Sequence, residues 1–264
     1  MVSTPHAAEF HLPPGSGLES MVATANLSPP GQVLDLGGKV LKSKLDMPLT
    51  LCPQHPITIR NGTLRLCGEQ RLLVRGPHAV RLEGVTVLGP GAPAAGHTMA
   101  CWWSLKGLLQ VTGRGSSLHL AGCTLRGGAH DAVLVADKGG RLEMSGACVV
   151  SGHPAGSGCI VRGGDSHLEA EGCTVEGHAG SGVWVSVGGG AGLTCCQLTG
   201  MGLHCLYVDN GKAVARQCSM ASNGLCGVIV WSGGAVELTG CHLTKNKARI
   251  IIIRRRRIRI IISH

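Results

Sequence analysis

The sequence predicts an all-β fold, a parallel β-helix wound from short strands, and three observations carry that expectation. The first is a theme written six times between Ser117 and Leu243: LHLAGCTLRGG from Leu118, LEMSGACVVSG from Leu142, LEAEGCTVEG from Leu168, LTCCQLTG from Leu193, VARQCSMASNG from Val214 and VELTGCHLTKN from Val236. A cysteine recurs in each, Cys123, Cys148, Cys173, Cys196, Cys218 and Cys241, at intervals of 25, 25, 23, 22 and 23 residues, the period of a solenoid coil. The second is alternation of apolar and polar residues within each theme, the pattern of a strand with one face inward. The third is composition: 42 glycines against one Phe, one Tyr and four Trp. Such a chain suits a narrow core of Val, Leu, Ile, Cys and Ala rather than a broad sandwich.

Taken in order, residues 1–32 are rich in Pro, Gly and Ser and read as a mobile lead-in. Within it Gly17–Leu27 either forms a short helix over the first coil, shielding open strand edges, or stays disordered. Strand signals then start at Val33 (VLDLGG), Pro48 (PLTL), Ile57 (ITIRNGTLRL), Arg71 (RLLVRG) and Val80 (VRLEGVTVLG), with Val85 in the place later held by cysteine. From Val85 to Cys123 is 38 residues, more than one coil needs, and the surplus reads as a loop over Gly89–Thr98 followed by MACWWSL. Long loops on a rigid scaffold are where binding residues concentrate.

Each later theme is followed, after a glycine-rich turn, by a second strand: AVLVADKGG from Ala132, CIVRGGD from Cys159, GVWVSVGG from Gly182, CLYVDNG from Cys205 and GVIVWSGG from Gly227. Alternation places Val133/Val135, Cys159/Val161, Val183/Val185, Leu206/Val208 and Val228/Val230 inside. A third strand has Leu118, Leu142, Leu168, Leu193, Val214 and Val236 inward. Three strands per coil and 22–26 residues per coil give eight to nine coils over residues 33–246, a rod of roughly 40 Å at the strand spacing of about 4.8 Å. Residues 247–264 (from Ala248, ARIIIIRRRRIRIIISH) look like an aberrant basic terminus that breaks off the last coil. The segment is too short and too charged to span a membrane.

The formal charge of +9 suggests nucleic acid, but six arginines lie within Arg249–Arg259, leaving 18 basic against 15 acidic residues elsewhere. Attraction for nucleic acid or anionic lipid therefore belongs to the tail alone. Thirteen cysteines would suit a small secreted disulfide scaffold, yet the count is odd and residues 1–25 lack the features of a signal peptide. Cysteines recurring at coil period read as stacked core filler, so the expectation is reduced thiols in a cytoplasmic protein.

The repeat G-[VIL]-x-V…L-x-[ALM]-x-G-C-x-[LV] resembles the right-handed parallel β-helix repeat proteins of the pectate-lyase-like superfold. Within them it looks most like the cytosolic β-helix domains of the F-box and carbohydrate-binding, sugar-hydrolase type, over residues 33–246. That resemblance implies fold, and function only loosely, because one fold hosts many activities. Enzymes of the superfold cleave polysaccharides with paired carboxylates, or with carboxylate-held calcium and a basic residue. The aspartates of the repeats, Asp131, Asp137, Asp165 and Asp209, stand apart. Asp209 should have Arg162, Ser186 and Trp231 as its neighbours in the stack, so no acidic cluster forms there. Gly177-His178-Ala179-Gly180 and Gly152-His153-Pro154 are faint echoes of a polygalacturonase-like Gly-His-Gly, and the other histidines are scattered on surface and turns. Cys195-Cys196 is vicinal, but there is no C-x-x-C pair, and nothing calls for a metal or a cofactor.

One feature exceeds background. Between the inward residues of the second strand lie Leu134, Ile160, Trp184, Tyr207 and Ile229, an outward apolar column that Trp231, Trp102 and Trp103 extend. Apolar strips beside small residues mark interaction surfaces, and Trp and Tyr can stack a sugar ring or anchor a peptide. A loop or the N-terminal segment covering it, or a register shifted by one, would instead make the column core. The expected function is a non-catalytic recognition scaffold for a protein or glycan partner. The alternatives are a polysaccharide lyase or glycoside hydrolase, favoured if carboxylates converge in a groove beside a basic residue, and a purely structural rod.

Overall fold

The computed structural model describes residues 9–43, 45–90, 106–128, 131–253 and 259–263. Among the described residues every coil but those at the two ends gives one strand to each of three parallel sheets, of eleven, nine and nine strands. In one coil the chain runs through Ser117–Ala121 in the first sheet, Thr124–Arg126 in the second and Ala132–Asp137 in the third, then turns back to Arg141–Ser145. This makes about ten turns. The expected eight to nine fell short because strands at both ends, Glu9–His11 and Ala248–Ile253 with Arg259–Ser263, join the sheets.

The corner between the first and second sheets repeats down the stack. Its leading residue has positive φ at Asn61, Gly84, Gly122, Gly146, Gly172, Cys195, Gln217 and Gly240, which explains the glycine directly before three of the six ladder cysteines. The next residue points inward, except after Gly146, where the exposed Ala147 comes before the inward Cys148. Cys123, Cys148, Cys173, Cys196 and Cys218 are at most 1% exposed, with Cys241 partly buried against the same core. Most of these thiols reach back one coil to a strand carbonyl: Cys123 to Leu82, Cys148 to Leu120, Cys196 to Ala170, Cys218 to Leu193 and Cys241 to Ala215, at 3.2–3.4 Å. Hydrogen bonding to the neighbouring thiols, and then burial, pushes Cys123, Cys173 and Cys218 up, so they remain protonated.

The opposite corner of the short second-sheet strands carries its own ladder, of His153, His178, Met201, Asn223 and Asn246. At three of the four steps the side chain of one coil accepts the backbone N–H of the coil before it. His178 Nδ1 takes His153 N–H at 3.2 Å, Asn223 Oδ1 takes Met201 N–H at 3.0 Å, and Asn246 Oδ1 takes Asn223 N–H at 3.1 Å. These turn amides have no sheet partner and are out of reach of water, so a side chain must satisfy them. His178 Nε2 bonds Val150 O at 3.1 Å, which fixes the tautomer, and burial drives the ring down to about 4. His153 and His178 are thus interior residues, 0% and 1% exposed, and not the surface turn histidines their glycine neighbours suggest.

The N-terminal end is closed. Helix Leu18–Leu27 buries Leu18, Met21, Val22 and Ala25, the one-face spacing of an amphipathic helix. It packs on Leu49–Leu51, the edge strand of the third sheet. Asn26 bridges to that edge, donating to Thr50 O at 3.0 Å and accepting Cys52 N–H at 2.7 Å. Of the two options for Gly17–Leu27, the helix is the one adopted.

Register corrects three placements. Leu134 faces the core, paired with Leu109 and Cys159, while Val135 takes the outward place beside Ile160. Val133 is also buried in the core, so two successive residues point inward where the chain rounds the corner, and simple alternation fails there. Val214 is outward, aligned with Gly192 and Glu237, because Ala213 and Ala215 fill the core. An Ala-Val-Ala run hides which residue is inside. Of the described residues after Lys247, Ala248–Ile253 pairs with Cys226–Trp231, setting Ile250 on Val228 and Ile252 on Val230, and Arg259–Ser263 pairs with Ala235–Thr239. β-Branched isoleucines favour the extended chain whatever their origin.

Asn223→Ala should lower the unfolding free energy by about 1–3 kcal/mol in a denaturant titration, since it strips Met201 N–H of its acceptor. For His178 the folded value lies below the unfolded one, so the unfolded chain binds the extra proton between them. Stability is fully present above about pH 6.5 and falls, by about 3 kcal/mol in all, as the pH drops toward 4. His178→Asn, in a series of denaturation curves, should lose that slope.

Candidate functional site

Among the described residues, acids, bases and cations gather on the outward face of the first sheet. Its middle column runs Arg81, His119, Glu143, Glu169, Gly192, Val214 and Glu237, each in register on the next strand. A flanking column runs Ser117, Arg141, His167, Gly190 and Lys212. Inward Leu118, Leu142 and Leu168 alternate with these residues and anchor them. Arg81, His119, Arg141, Glu143, Glu169 and Glu171 line a shallow groove of about 360 Å³.

Two imidazole–carboxylate pairs sit on adjacent strands. Glu143 is held on both oxygens, with His119 Nδ1 at 2.7 Å from one and Arg141 Nε at 2.8 Å from the other. Glu169 bonds His167 Nε2 at 2.6 Å through one oxygen, and its side chain is half exposed. The two pairs lean in opposite directions. Glu143 reaches back toward His119 on the preceding strand, while Glu169 lies over Gly192 on the following one, where an added Cβ would stand 2.0 Å from its Oε2. Like charges directly opposite in a sheet are unfavourable, and exposed ion pairs return at most about 1 kcal/mol each. Stability alone does not account for stacking two glutamates here.

Residues 157–262 match a family model described as right handed beta helix region. The chain is a right-handed parallel β-helix. The A-module of the Azotobacter vinelandii mannuronan C-5 epimerase AlgE6 is similar at 11% identity and a TM-score of 0.45, covering 93% of both chains. The periplasmic alginate epimerase AlgG is similar at 9% identity over 97% of this chain and 83% of its own, with a TM-score of 0.37. The A-module of the Azotobacter vinelandii epimerase AlgE4 is similar at 10% identity over 93% and 89%, with a TM-score of 0.36. No curated protein matches in sequence.

Elsewhere on the β-helix the sequence-derived candidates divide. The outward column of the third sheet runs Gln110, Val135, Ile160, Trp184, Tyr207 and Ile229. Val135 and Ile160 are 1% exposed and Ile229 7%, so the column is not an open strip. Ala132, Val135 and Ile160 form a small apolar cluster of their own, with Trp184 packed against it. Trp184 and Tyr207 are half-buried and stack, with centroids 5.6 Å apart and planes 15° apart. Leu134 belongs to the main core and Trp231 is exposed. Trp102, Trp103 and most of the Gly89–Thr98 loop lie outside the described residues. Asp209 has Ser186, Arg162 and Trp231 as its stack neighbours, as the spacing predicts, and burial pushes its carboxyl up. The vicinal cysteines face apart: Cys195 occupies the left-handed corner, exposed, with its thiol on Gln217 Oε1 at 3.3 Å, while Cys196 points inward. Among the described residues no group of three or more His, Cys, Asp or Glu could hold a metal ion, and no helix is long and apolar enough to cross a membrane.

The carboxylates that do converge, Glu143, Glu169 and Glu171, are ones a search restricted to aspartates passes over. Their signal was in the repeat itself: LEMS and LEAE put a glutamate right after the inward leucine in consecutive coils.

Trp184→Ser should lower the unfolding free energy by about 2–3 kcal/mol, somewhat less than a fully buried aromatic loses, because the Ile160 cluster and Tyr207 both lose their neighbour. Thermal or denaturant melting reads it directly.

Proposed function

We propose that the first-sheet groove binds a polysaccharide chain and cleaves it by acid–base chemistry. The observation that carries this reading is the convergence of Glu143 and Glu169, on adjacent coils, with His119, Arg81 and Arg141 in one groove, and with His167 bonded to Glu169. Cleaving a glycosidic linkage calls for two groups flanking the bond, one giving and one taking a proton. The strand backbones lie about 4.8 Å apart, and the opposed lean of the two side chains acts to widen the spacing between their carboxyl heads. Two-carboxylate sugar chemistry works across separations of about 5 to 9 Å.

The roles follow from the contacts. Glu143 has both oxygens engaged and stays fixed in direction. Glu169 keeps an oxygen outside its bond to His167 and is the more exposed, so it is the group that exchanges a proton with the chain. His119 meets Glu143 through Nδ1, leaving Nε2 to act on substrate. Arg81 and Arg141 supply positive charge for acidic sugars or a developing anion. The groove takes precedence over the apolar column as working surface because Val135 and Ile160 are already covered.

The test is to incubate the full chain with a panel of neutral and uronic-acid polysaccharides, with and without calcium, following reducing ends and unsaturated uronate ends. The expected result is cleavage of at least one member, reduced about 10²–10⁴-fold in Glu143→Gln and in Glu169→Gln with folding intact. Unsaturated ends would identify elimination, and saturated ends hydrolysis. No product from any member, or cleavage unaffected by both substitutions, would overturn the proposal.

A further inference from the structure

We infer that Gly190 and Gly192 are positioning residues, whose missing side chains set the direction of the His167–Glu169 pair and so its distance from Glu143. The functional meaning of this inference rests on the groove being the working site. Gly190 opens the strand Gly190–Thr194 and Gly192 is its middle residue, where glycine weakens a sheet and is commonly kept for close approach. Neither has a φ in the left-handed region, so the backbone accepts any residue there. The reason for glycine is therefore space.

That space is filled by the pair one coil earlier. A Cβ on Gly192 would stand 2.0 Å from Oε2 and 2.8 Å from Oε1 of Glu169, and one on Gly190 would stand 2.7 Å from Nδ1 of His167. The described strands pairing on either side carry side chains in both columns: Arg141 and His167 before Gly190 and Lys212 after it, Glu143 and Glu169 before Gly192 and Val214 after it. With any side chain at 192 the Glu169 carboxyl must lift off the sheet, away from its present direction, and its bond to His167 changes with it. Glu143, tied to His119 and Arg141, has no such freedom. The spacing of the two carboxyl heads is thus set from the glycine side.

Gly192→Ala in the full chain tests this, with Gly190→Ala as a second, milder variant should the first fail to fold. Two readouts are taken: the ¹⁵N shift of the His167 ring, assigned with His167→Gln, and kcat and KM on whichever polysaccharide the unsubstituted protein cleaves. The expected result is a shifted His167 Nε2 signal and kcat lowered on the order of tenfold to a hundredfold with KM nearly unchanged, the cost of a misplacement of about 1 Å. Gly192→Ala with Glu169→Asp, which shortens the side chain by one methylene, should recover part of kcat. A folded Gly192→Ala with unchanged His167 signal and unchanged kcat would overturn the inference. If the unsubstituted protein cleaves nothing while Gly192→Ala still moves the His167 signal, the positioning stands and the proposed reaction falls.

Discussion

Parallel stacking in register is the constraint on which everything else in this molecule depends. Each residue has a neighbour in the same structural place about 4.8 Å above and below it. A side chain must therefore get along with copies of its own position before it meets anything else. Cysteine answers this in the first corner, being small and apolar with a thiol that can reach a carbonyl one coil back. Histidine and asparagine answer it in the opposite corner by accepting the amide that the turn strands. On the outward face of the first sheet the same rule gathers charge, because glutamates in successive coils have no choice but to be neighbours.

The same rule decides what could be read in the sequence. The cysteine period sets the coil, and the alternation around it sets most inward residues, including Cys159, Val161, Val183, Val185, Leu206, Val208, Val228 and Val230. Even the isolation of Asp209 follows from counting one coil up and down. Reading failed where alternation is degenerate or broken. Ala213-Val214-Ala215 is apolar at every step, and only counting five residues back from Cys218 shows Ala213, and with it Ala215, to be inward. At Val133-Leu134 the chain rounds a corner and two successive residues face inward, which no period-two rule anticipates. The imidazole ladder escaped because a histidine beside glycine looks like a surface turn until its partner 25 residues on is seen to accept its amide.

The candidate site was partly legible and partly not. That Glu143 and Glu169 share a column is available from the repeat alone. That they lean apart is not, since the lean depends on His119 one strand before and on the absence of side chains one strand after. The groove also departs from what local stability favours, with like charges opposite one another and glycines within a strand. Such departures, in a chain that otherwise obeys its own repeat closely, are where function tends to lie.

One coil differs in length without differing in register. Between the paired residues Ala121↔Ser145 and Thr124↔Val149 one chain has two residues and the other three, and the additional one, Ala147, takes a positive φ beside Gly146. The corner works as an expansion joint. Length can change there while the columns on either side keep step. The groove, one corner away, is thereby insulated from insertions that would otherwise turn its carboxylates to face the core.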